Sequence, residues 1–216
     1  MNVIITGTTG MIGEGILLEC LKDDRISAIL SVSRKPTGKI HPKLKEYIVS
    51  DFLSLQESDE MLKGYDACFF CAGISSIGVS PTDYERISYD TTLQFAKAVG
   101  PNQNMSFVYV SGSGTDSTEK GRLHWARVKG KTENDLMKLP FKQVFGFRIG
   151  IVEVAKGQTH ILPFYKYVSW LIPLLKIISP NILNTMRQVA NAMIVVSSNG
   201  YPNNIIHVKD IHQLGK

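Results

Sequence analysis

The chain has 216 residues, which is enough for one sizeable hydrophobic core and too few for two domains of ordinary size. Hydrophobic residues make up 44% of the sequence and charged residues 20%, so intrinsic disorder and collagen-like repeats are excluded. The net charge of +5 is a mild excess, which favours an anionic ligand or surface over a nucleic-acid partner.

Apolar runs that predict strands alternate along the chain with stretches of helical periodicity. The predicted strands are residues 3–6, 28–33, 46–50, 67–72, 106–110, 143–147 and 205–208, and the predicted helices are 11–21, 84–99 and 124–139. This alternation predicts an α/β fold, a doubly wound and mostly parallel Rossmann sheet with helices on both faces. We expect a single domain over residues 1–216, in which 151–204 form a small substrate-covering region.

The three cysteines do not form a disulfide framework. Cys68 and Cys71 make a C-x-x-C pattern, but they lie in an apolar run that predicts a buried strand, and no second pair of ligands accompanies them. We therefore expect Cys20, Cys68 and Cys71 to be structural and predict no metal site. The first strand begins near Asn2, which leaves no room for a signal peptide. Both features predict a cytoplasmic location.

Residues 161–178 form the most apolar stretch of the chain. Two lysines and two prolines within it, Lys166, Lys176, Pro163 and Pro173, argue against a membrane-spanning helix. We interpret the stretch as a cover over the substrate or a contact between subunits. The alternative is peripheral contact with a membrane surface, which its mixture of apolar and basic residues would suit.

The most informative motif is glycine-rich and lies between the first predicted strand and the first predicted helix. Residues 6–13, Thr-Gly-Thr-Thr-Gly-Met-Ile-Gly, fit the pattern G-x-x-G-x-x-G. In this context Gly7 permits a tight turn, Gly10 lets the backbone approach a diphosphate, and Gly13 lets the helix pack closely. The amide groups at the helix start favour an anion. We predict that a dinucleotide binds to Gly7, Thr8, Thr9, Gly10, Met11, Ile12 and Gly13.

The residues that end the second strand predict which dinucleotide binds. Binders of NAD usually carry an acidic residue there, which holds the ribose 2′-hydroxyl. This chain has Ser33, Arg34 and Lys35 instead, and a guanidinium group suits a 2′-phosphate. The sequence therefore predicts NADP(H), with NAD(H) as the alternative cofactor.

These motifs resemble the short-chain dehydrogenase/reductase superfamily, and in particular its atypical, epimerase-like branch that includes the Tat-interacting-protein-like oxidoreductases. The resemblance extends over essentially the whole chain. It implies that Asp51 and Phe52 meet the adenine and that the turn after the fourth strand runs beside the cofactor ribose. It also implies that an Arg-x-Gly turn after the sixth strand lies near the nicotinamide. The residues at the last two places are Cys71, Ala72 and Gly73, and Arg148, Ile149 and Gly150.

The resemblance also implies a catalytic serine and a Tyr-x-x-x-Lys pair. Ser113 matches the serine and Lys129 matches the lysine, while Ser111 is expected beside the cofactor. The tyrosine position is Trp125, whose indole donates a hydrogen bond but is neither an acid nor a base near neutral pH. His124, Tyr84 and Tyr89 are the alternative proton donors, although each is more often a structural residue at such a place.

We predict an NADP(H)-binding protein of the atypical short-chain dehydrogenase/reductase type, with an unidentified small-molecule substrate. The favoured activity is that of an oxidoreductase acting on a small carbonyl or alcohol. The first alternative is a catalytically inert protein that senses NADPH as a regulator or scaffold, which Trp125 favours. The second is a sugar-nucleotide epimerase or dehydratase, although such enzymes also depend on the tyrosine and usually have a larger C-terminal domain.

Overall fold

A computed structural model describes residues 1–57, 59–161 and 183–216 of the chain. These described residues contain nine strands, β1 to β9, which span Asn2–Thr6, Ala28–Ser33, Leu44–Ile48, Ala67–Phe70, Ser106–Val110, Gln143–Arg148, Ile151–Glu153, Leu183–Thr185 and Ile205–His207. The same residues contain six α-helices, α1 to α6, which span Met11–Lys22, Pro81–Glu85, Thr91–Ala98, His124–Leu136, Met186–Asn199 and Val208–Leu214. A π-helical turn, Arg86–Asp90, joins α2 to α3, so the predicted helix over 84–99 is confirmed with an earlier start.

Seven of the strands form one parallel sheet in the order β3-β2-β1-β4-β5-β6-β9. The predicted α/β, doubly wound Rossmann sheet is therefore confirmed. The order reverses between β1 and β4. Strand β1 pairs with β2 on one side and with β4 on the other, where Ile4 lies opposite Leu30 and Cys68 respectively. Ligands of doubly wound sheets bind at the carboxyl ends of the strands beside such a reversal.

Both faces of the sheet are covered, which explains the continuous apolar strands. On one face Ile5 and Phe69 pack with Leu17 of α1 and Met193 of α5. On the other face Ile4 packs among residues of α3 and α4. Adjacent residues of one strand point to opposite faces, so a strand that is buried on both sides has no polar face.

The described C-terminal part of the chain contains four elements that the sequence did not predict, the strands β7 and β8 and the helices α5 and α6. β7 and β8 form a separate two-stranded parallel sheet, and α5 packs against α1, where Met186 lies in the space beside Gly15. Helix α5 thus belongs to the buried core of the Rossmann domain although it lies within the predicted region 151–204. The substrate-covering role of that region stays a prediction, and residues 162–178 of the apolar stretch lie outside the described residues.

Candidate functional site

The turn between β1 and α1 is built so that two of its glycines have no room for a side chain. Gly7 has a φ of +68°, in the left-handed region, and a Cβ there would lie 2.7 Å from the amide nitrogen of Ala72. A Cβ at Gly13 would lie 2.2 Å from the carbonyl oxygen of Gly7. Gly10 begins α1 without a side-chain cap, so backbone amides form the positive end of the helix. This backbone cradle fits the diphosphate of a dinucleotide.

Hydrogen bonds tie the neighbouring strands to this turn. The hydroxyl of Thr6 accepts hydrogen bonds of 3.1 Å from the amides of Cys71 and Ala72. The hydroxyl of Thr8 is 2.7 Å from that of Ser31 in a buried contact with β2. The structure thus brings the predicted turn after β4, including Cys71 and Ala72, into direct contact with the glycine-rich turn. The Cβ position of Gly73 faces open space.

The basic residues after β2 lie exposed beside the same end of the sheet. The hydroxyl of Ser33 donates a 2.7 Å hydrogen bond to the carbonyl oxygen of Lys35, which holds the turn together. Arg34 and Lys35 are both exposed, and neither forms a salt bridge within the part of the chain that the structure describes. Their charges are therefore not neutralised by the described acidic side chains.

The two residues predicted to meet the adenine have structural contacts. Asp51 caps a short 3-10 helix, Phe52–Ser54, by accepting a 2.9 Å hydrogen bond from the amide of Leu53. The ring of Phe52 is buried, with its centre 5.1 Å from that of Phe95. Of these two residues, Asp51 is exposed to solvent and Phe52 is not.

The end of β5 carries Ser111 and Ser113, which have different surroundings. The hydroxyl of Ser111 donates a 2.6 Å hydrogen bond to the buried carboxylate of Glu133. Ser113 is exposed, and its amide donates a 2.9 Å hydrogen bond to the carbonyl oxygen of Ile149. The turn at 149–150 after β6 therefore lies beside Ser113, and its predicted place near the nicotinamide stays a prediction.

Glu133 is a residue of this site that the sequence did not reveal. Its carboxylate is fully buried and lies 2.6 Å from a guanidinium nitrogen of Arg148, which also contacts the hydroxyl of Ser117. A buried carboxylate needs such partners because its desolvation is otherwise costly. The guanidinium charge of Arg148, a residue predicted to bind the cofactor, is thus paired with the carboxylate of Glu133. The spacing of Glu133 four residues after Lys129 on α4 is the signal that places it on the same helix face.

Lys129 belongs to α4, and its side chain reaches the end of β5. Its Nζ atom is 3.4 Å from the carbonyl oxygens of Val110 and Ser111, and 5.5 Å from the centre of the Tyr109 ring. Burial lowers the pKa of Lys129 to about 8, although the nearby carboxylate of Glu133 acts in the opposite direction. The ammonium group therefore lies against the end of β5, where the carbonyl oxygens of Val110 and Ser111 are its hydrogen-bond acceptors.

The indole of Trp125 packs on the loop after β5. A Cβ at Gly114 would lie 2.8 Å from the Trp125 ring, and one at Gly112 would lie 3.9 Å from it. Trp125 therefore fills the space beside the Ser113 loop with an apolar ring.

The alternative proton donors have structural partners. Tyr84 is buried, its ring lies edge-on to that of His124 at 6.2 Å, and burial raises the pKa of its hydroxyl. The hydroxyl of Tyr89 donates to Asp135 at 2.7 Å, and this bond raises the pKa of Tyr89 to about 12. Neither tyrosine has the lowered pKa that proton transfer near neutral pH requires.

The three cysteines are free, and burial raises the pKa of each thiol. No cluster of potential metal ligands occurs among residues 1–57, 59–161 and 183–216. An open cavity of about 400 Å³ lies beside the end of β3, between Tyr47 and Asp59, and none of the predicted site residues lines it.

The sheet order and the glycine-rich turn define a protein of the Rossmann type, with the turn at the switch point of the sheet where dinucleotides bind in that fold. The model of the NAD dependent epimerase/dehydratase family matches residues 3–121, more than half of the chain, and the chain belongs to that family. This confirms the epimerase-like short-chain dehydrogenase/reductase resemblance.

Curated relatives cover part of the chain. Leucinostatins biosynthesis cluster protein T of Purpureocillium lilacinum is 32% identical over 64% of this chain and 52% of its own length. The mitochondrial protein FMP52 of Debaryomyces hansenii is 25% identical over 69% of this chain and 66% of its own. The chain thus spans about half to two thirds of the length of these relatives.

Solved structures share the fold at low identity. A UDP-N-acetylglucosamine 4-epimerase from Methanobrevibacter ruminantium superposes with a TM-score of 0.66 at 19% identity, over 95% of this chain and 75% of its own. A UDP-glucuronic acid 4-epimerase from Bacillus cereus, solved with NAD, superposes with a TM-score of 0.66 at 12% identity, over 99% of this chain and 81% of its own. At such identities the likeness shows the Rossmann-like fold alone.

The predicted cytoplasmic location is wrong. Several curated relatives, from Debaryomyces hansenii, Chaetomium globosum and Scheffersomyces stipitis, are named mitochondrial. In the described part of the chain, no helix is both long and apolar enough to cross a membrane.

Proposed function

We propose that the chain binds NADP(H) in preference to NAD(H). The observation that carries this proposal is the pair Arg34 and Lys35, exposed at the end of β2 where an acidic residue would select NAD. The contact between Thr8 and Ser31 keeps that end of β2 against the glycine-rich turn. A dinucleotide with its diphosphate in the turn would therefore have its adenosine ribose near two unneutralised cations.

Equilibrium titration with NADPH and NADH tests the cofactor proposal. We expect NADPH to bind at least about tenfold more tightly, because a phosphate that gains one charge-assisted contact gains that much. Substituting both Arg34→Ala and Lys35→Ala should remove the preference, whereas Lys45→Ala, an exposed lysine on β3, should leave it unchanged. Equal binding of the two dinucleotides by the natural protein would refute the proposal.

We further propose an oxidoreductase that acts on a small carbonyl or alcohol. The nicotinamide, when bound, supplies or accepts the hydride. Lys129 would hold the ribose hydroxyls of the cofactor, and Ser113, exposed on the loop after β5, would orient the substrate oxygen. Trp125 has no proton to exchange near neutral pH, so water or a side chain without an assigned role would supply it.

The second candidate function is an inert NADPH sensor, and the packing of Trp125 favours it. The ring of Trp125 occupies the space beside Gly114, and the family resemblance implies the reacting tyrosine at this position. The third candidate, a sugar-nucleotide epimerase or dehydratase, is favoured by the name of the family and needs the same missing tyrosine.

A turnover assay separates these candidates. NADPH oxidation is followed over a panel of small carbonyls, and UDP-sugar conversion is followed in parallel. If the natural protein turns over carbonyls and Lys129→Ala abolishes turnover, the oxidoreductase proposal is supported. If the natural protein is inert and Trp125→Tyr gains activity, the sensor is supported. Conversion of a UDP-sugar would support the third candidate over both.

A further inference from the structure

One buried carboxylate, that of Glu14 in α1, joins two other segments of the chain to the glycine-rich turn. Glu14 directly follows Gly13 in the first turn of α1, and its side chain is fully buried. The motif itself does not call for an acid at this position, and nothing in the sequence marked it. A buried carboxylate is tolerated only where other groups donate hydrogen bonds to it. The donors to Glu14 therefore identify the segments of the chain that it holds in place.

The first segment that Glu14 holds is the basic loop after β2. The ammonium group of Lys39 lies 3.0 Å from one carboxylate oxygen of Glu14, and the Lys39 side chain is itself 23% exposed. Lys39 is four residues beyond Lys35 on the same loop. The salt bridge therefore fastens the far end of the loop that carries Arg34 and Lys35.

The second segment, residues 158–160, follows β7. The amides of Thr159 and His160 donate to Glu14 at 3.0 and 2.6 Å, the Thr159 hydroxyl donates at 2.7 Å, and His160 Nδ1 lies 2.9 Å away. Beside them the side-chain amide of Gln158 donates to the carbonyl oxygen of Met11 at 2.7 Å. This segment, which belongs to the predicted substrate-covering region 151–204, is thus fixed to the same turn of α1 at two points.

These donors keep the carboxylate charged. Burial alone raises the pKa of Glu14, but the hydrogen bonds from His160, Thr159 and Lys39 outweigh it and lower the pKa to about 2. Glu14 is therefore ionised throughout the neutral range, and all its described partners are hydrogen-bond donors.

We propose that Glu14 is the positioning residue of the dinucleotide site. It fixes both the basic loop and residues 158–160 to the first turn of α1. The distance of Arg34 and Lys35 from the glycine-rich turn, and that of residues 158–160 from the same turn, are thereby set by Glu14. The part that concerns the 2′-phosphate rests on the proposed NADP(H) function, whereas the fixing of residues 158–160 does not.

The first experiment uses the protein without any dinucleotide. Hydrogen exchange of peptides covering 155–161 is compared between the natural protein and Glu14→Gln, which keeps the shape of the side chain and turns a charged acceptor into an amide. We expect exchange there to quicken by about tenfold or more, because hydrogen bonds to charged acceptors are the strong ones. Glu19→Gln is the control, since Glu19 lies on the same helix and its described ion pair is with Lys22, within α1. Unchanged exchange over 155–161 in Glu14→Gln would overturn the proposal.

The second experiment measures the ratio of NADH to NADPH dissociation constants. A merely destabilised protein loses both affinities together, so this ratio reports positioning. We expect both Glu14→Gln and Lys39→Met to lower the ratio by at least about threefold, and Lys39→Met to do so without altering exchange over 155–161. Lys39→Met also tests the proposal if Glu14→Gln does not fold. An unchanged ratio of the two dissociation constants in Lys39→Met would refute the proposal that the salt bridge positions the basic loop. If the natural protein shows no preference for NADPH, the proposed function fails, and the exchange experiment still decides the role of Glu14.

Discussion

Lys129 places a positive charge in the site at a cost to stability, and removing that charge should stabilise the free protein. Burial lowers the pKa of Lys129 from 10.5 to about 8. Below pH 8 the lysine is charged in both the folded and the unfolded state, so the folded state carries the full penalty of burying it. Each pKa unit corresponds to about 1.4 kcal/mol, so a shift of this size corresponds to about 3 kcal/mol.

Replacement of Lys129 by methionine keeps a long unbranched side chain and removes the charge. We expect the free energy of unfolding of Lys129→Met, measured in urea near neutral pH, to be about 1 to 3 kcal/mol higher than that of the natural protein. The gain is smaller than the full penalty because water partly screens the ammonium group. The difference should shrink as pH rises from about 8 to 10.5. In that window the folded protein has released the proton of Lys129 and the unfolded chain still holds it, so the natural protein gains stability.

The control is Lys131→Met, because Lys131 lies two residues away on α4, where it forms a surface ion pair with Glu85 and lies 4.1 Å from the centre of the Tyr89 ring. Its effect should stay within about 1 kcal/mol. If Lys129→Met is instead less stable than the natural protein at neutral pH, or if the difference does not change with pH, the reasoning about Lys129 is wrong. We expect the same substitution to weaken dinucleotide binding, which would show that the charge serves binding and not folding.

Three further predictions concern the turn, the buried pair and the apolar stretch. Gly13→Ala should lower the melting temperature sharply, by the equivalent of about 2 kcal/mol or more, because its methyl group meets the Gly7 carbonyl oxygen, whereas Gly73→Ala, where the space is open, should have little effect. Glu133→Gln should cost about 3 to 5 kcal/mol in urea unfolding because it leaves the Arg148 charge without its buried partner, and a cost below about 1 kcal/mol would contradict that view. Residues 161–178, interpreted as a substrate cover or a subunit contact, should not carry the protein onto anionic vesicles in co-sedimentation, and binding would favour the membrane alternative.

The sequence predicted the parts of this fold that rest on periodicity and glycine. Strands buried on both faces are continuous apolar runs, and Gly7 and Gly13 have backbone positions that exclude side chains, so both features are visible in the sequence. The edge strand β3 was predicted two residues late, since its residues are mostly exposed and its apolar pattern is weak. Helix α5 was missed because its apolar residues are interrupted by polar ones and it follows the apolar stretch.

The buried acids of the site could not be predicted from the sequence. Glu14 and Glu133 belong to a residue type that is rarely buried, and each is buried only because donors from distant parts of the chain reach it. Thr159 and Arg148 are 145 and 15 residues away from the acids that they contact. Such pairings depend on tertiary structure and have no local signature. The ring of Phe52 turned inward for a similar reason, since packing with Phe95 decides its orientation.

The most direct test of the account is the displacement of bound NADPH by two fragments that differ in the 2′-phosphate, 2′,5′-ADP and 5′-AMP. If Arg34 and Lys35 hold that phosphate, 2′,5′-ADP displaces NADPH at a concentration at least about tenfold lower, and the advantage disappears when both residues are alanine. Equal displacement by the two fragments from the natural protein would contradict the assignment of this end of β2 to the 2′-phosphate.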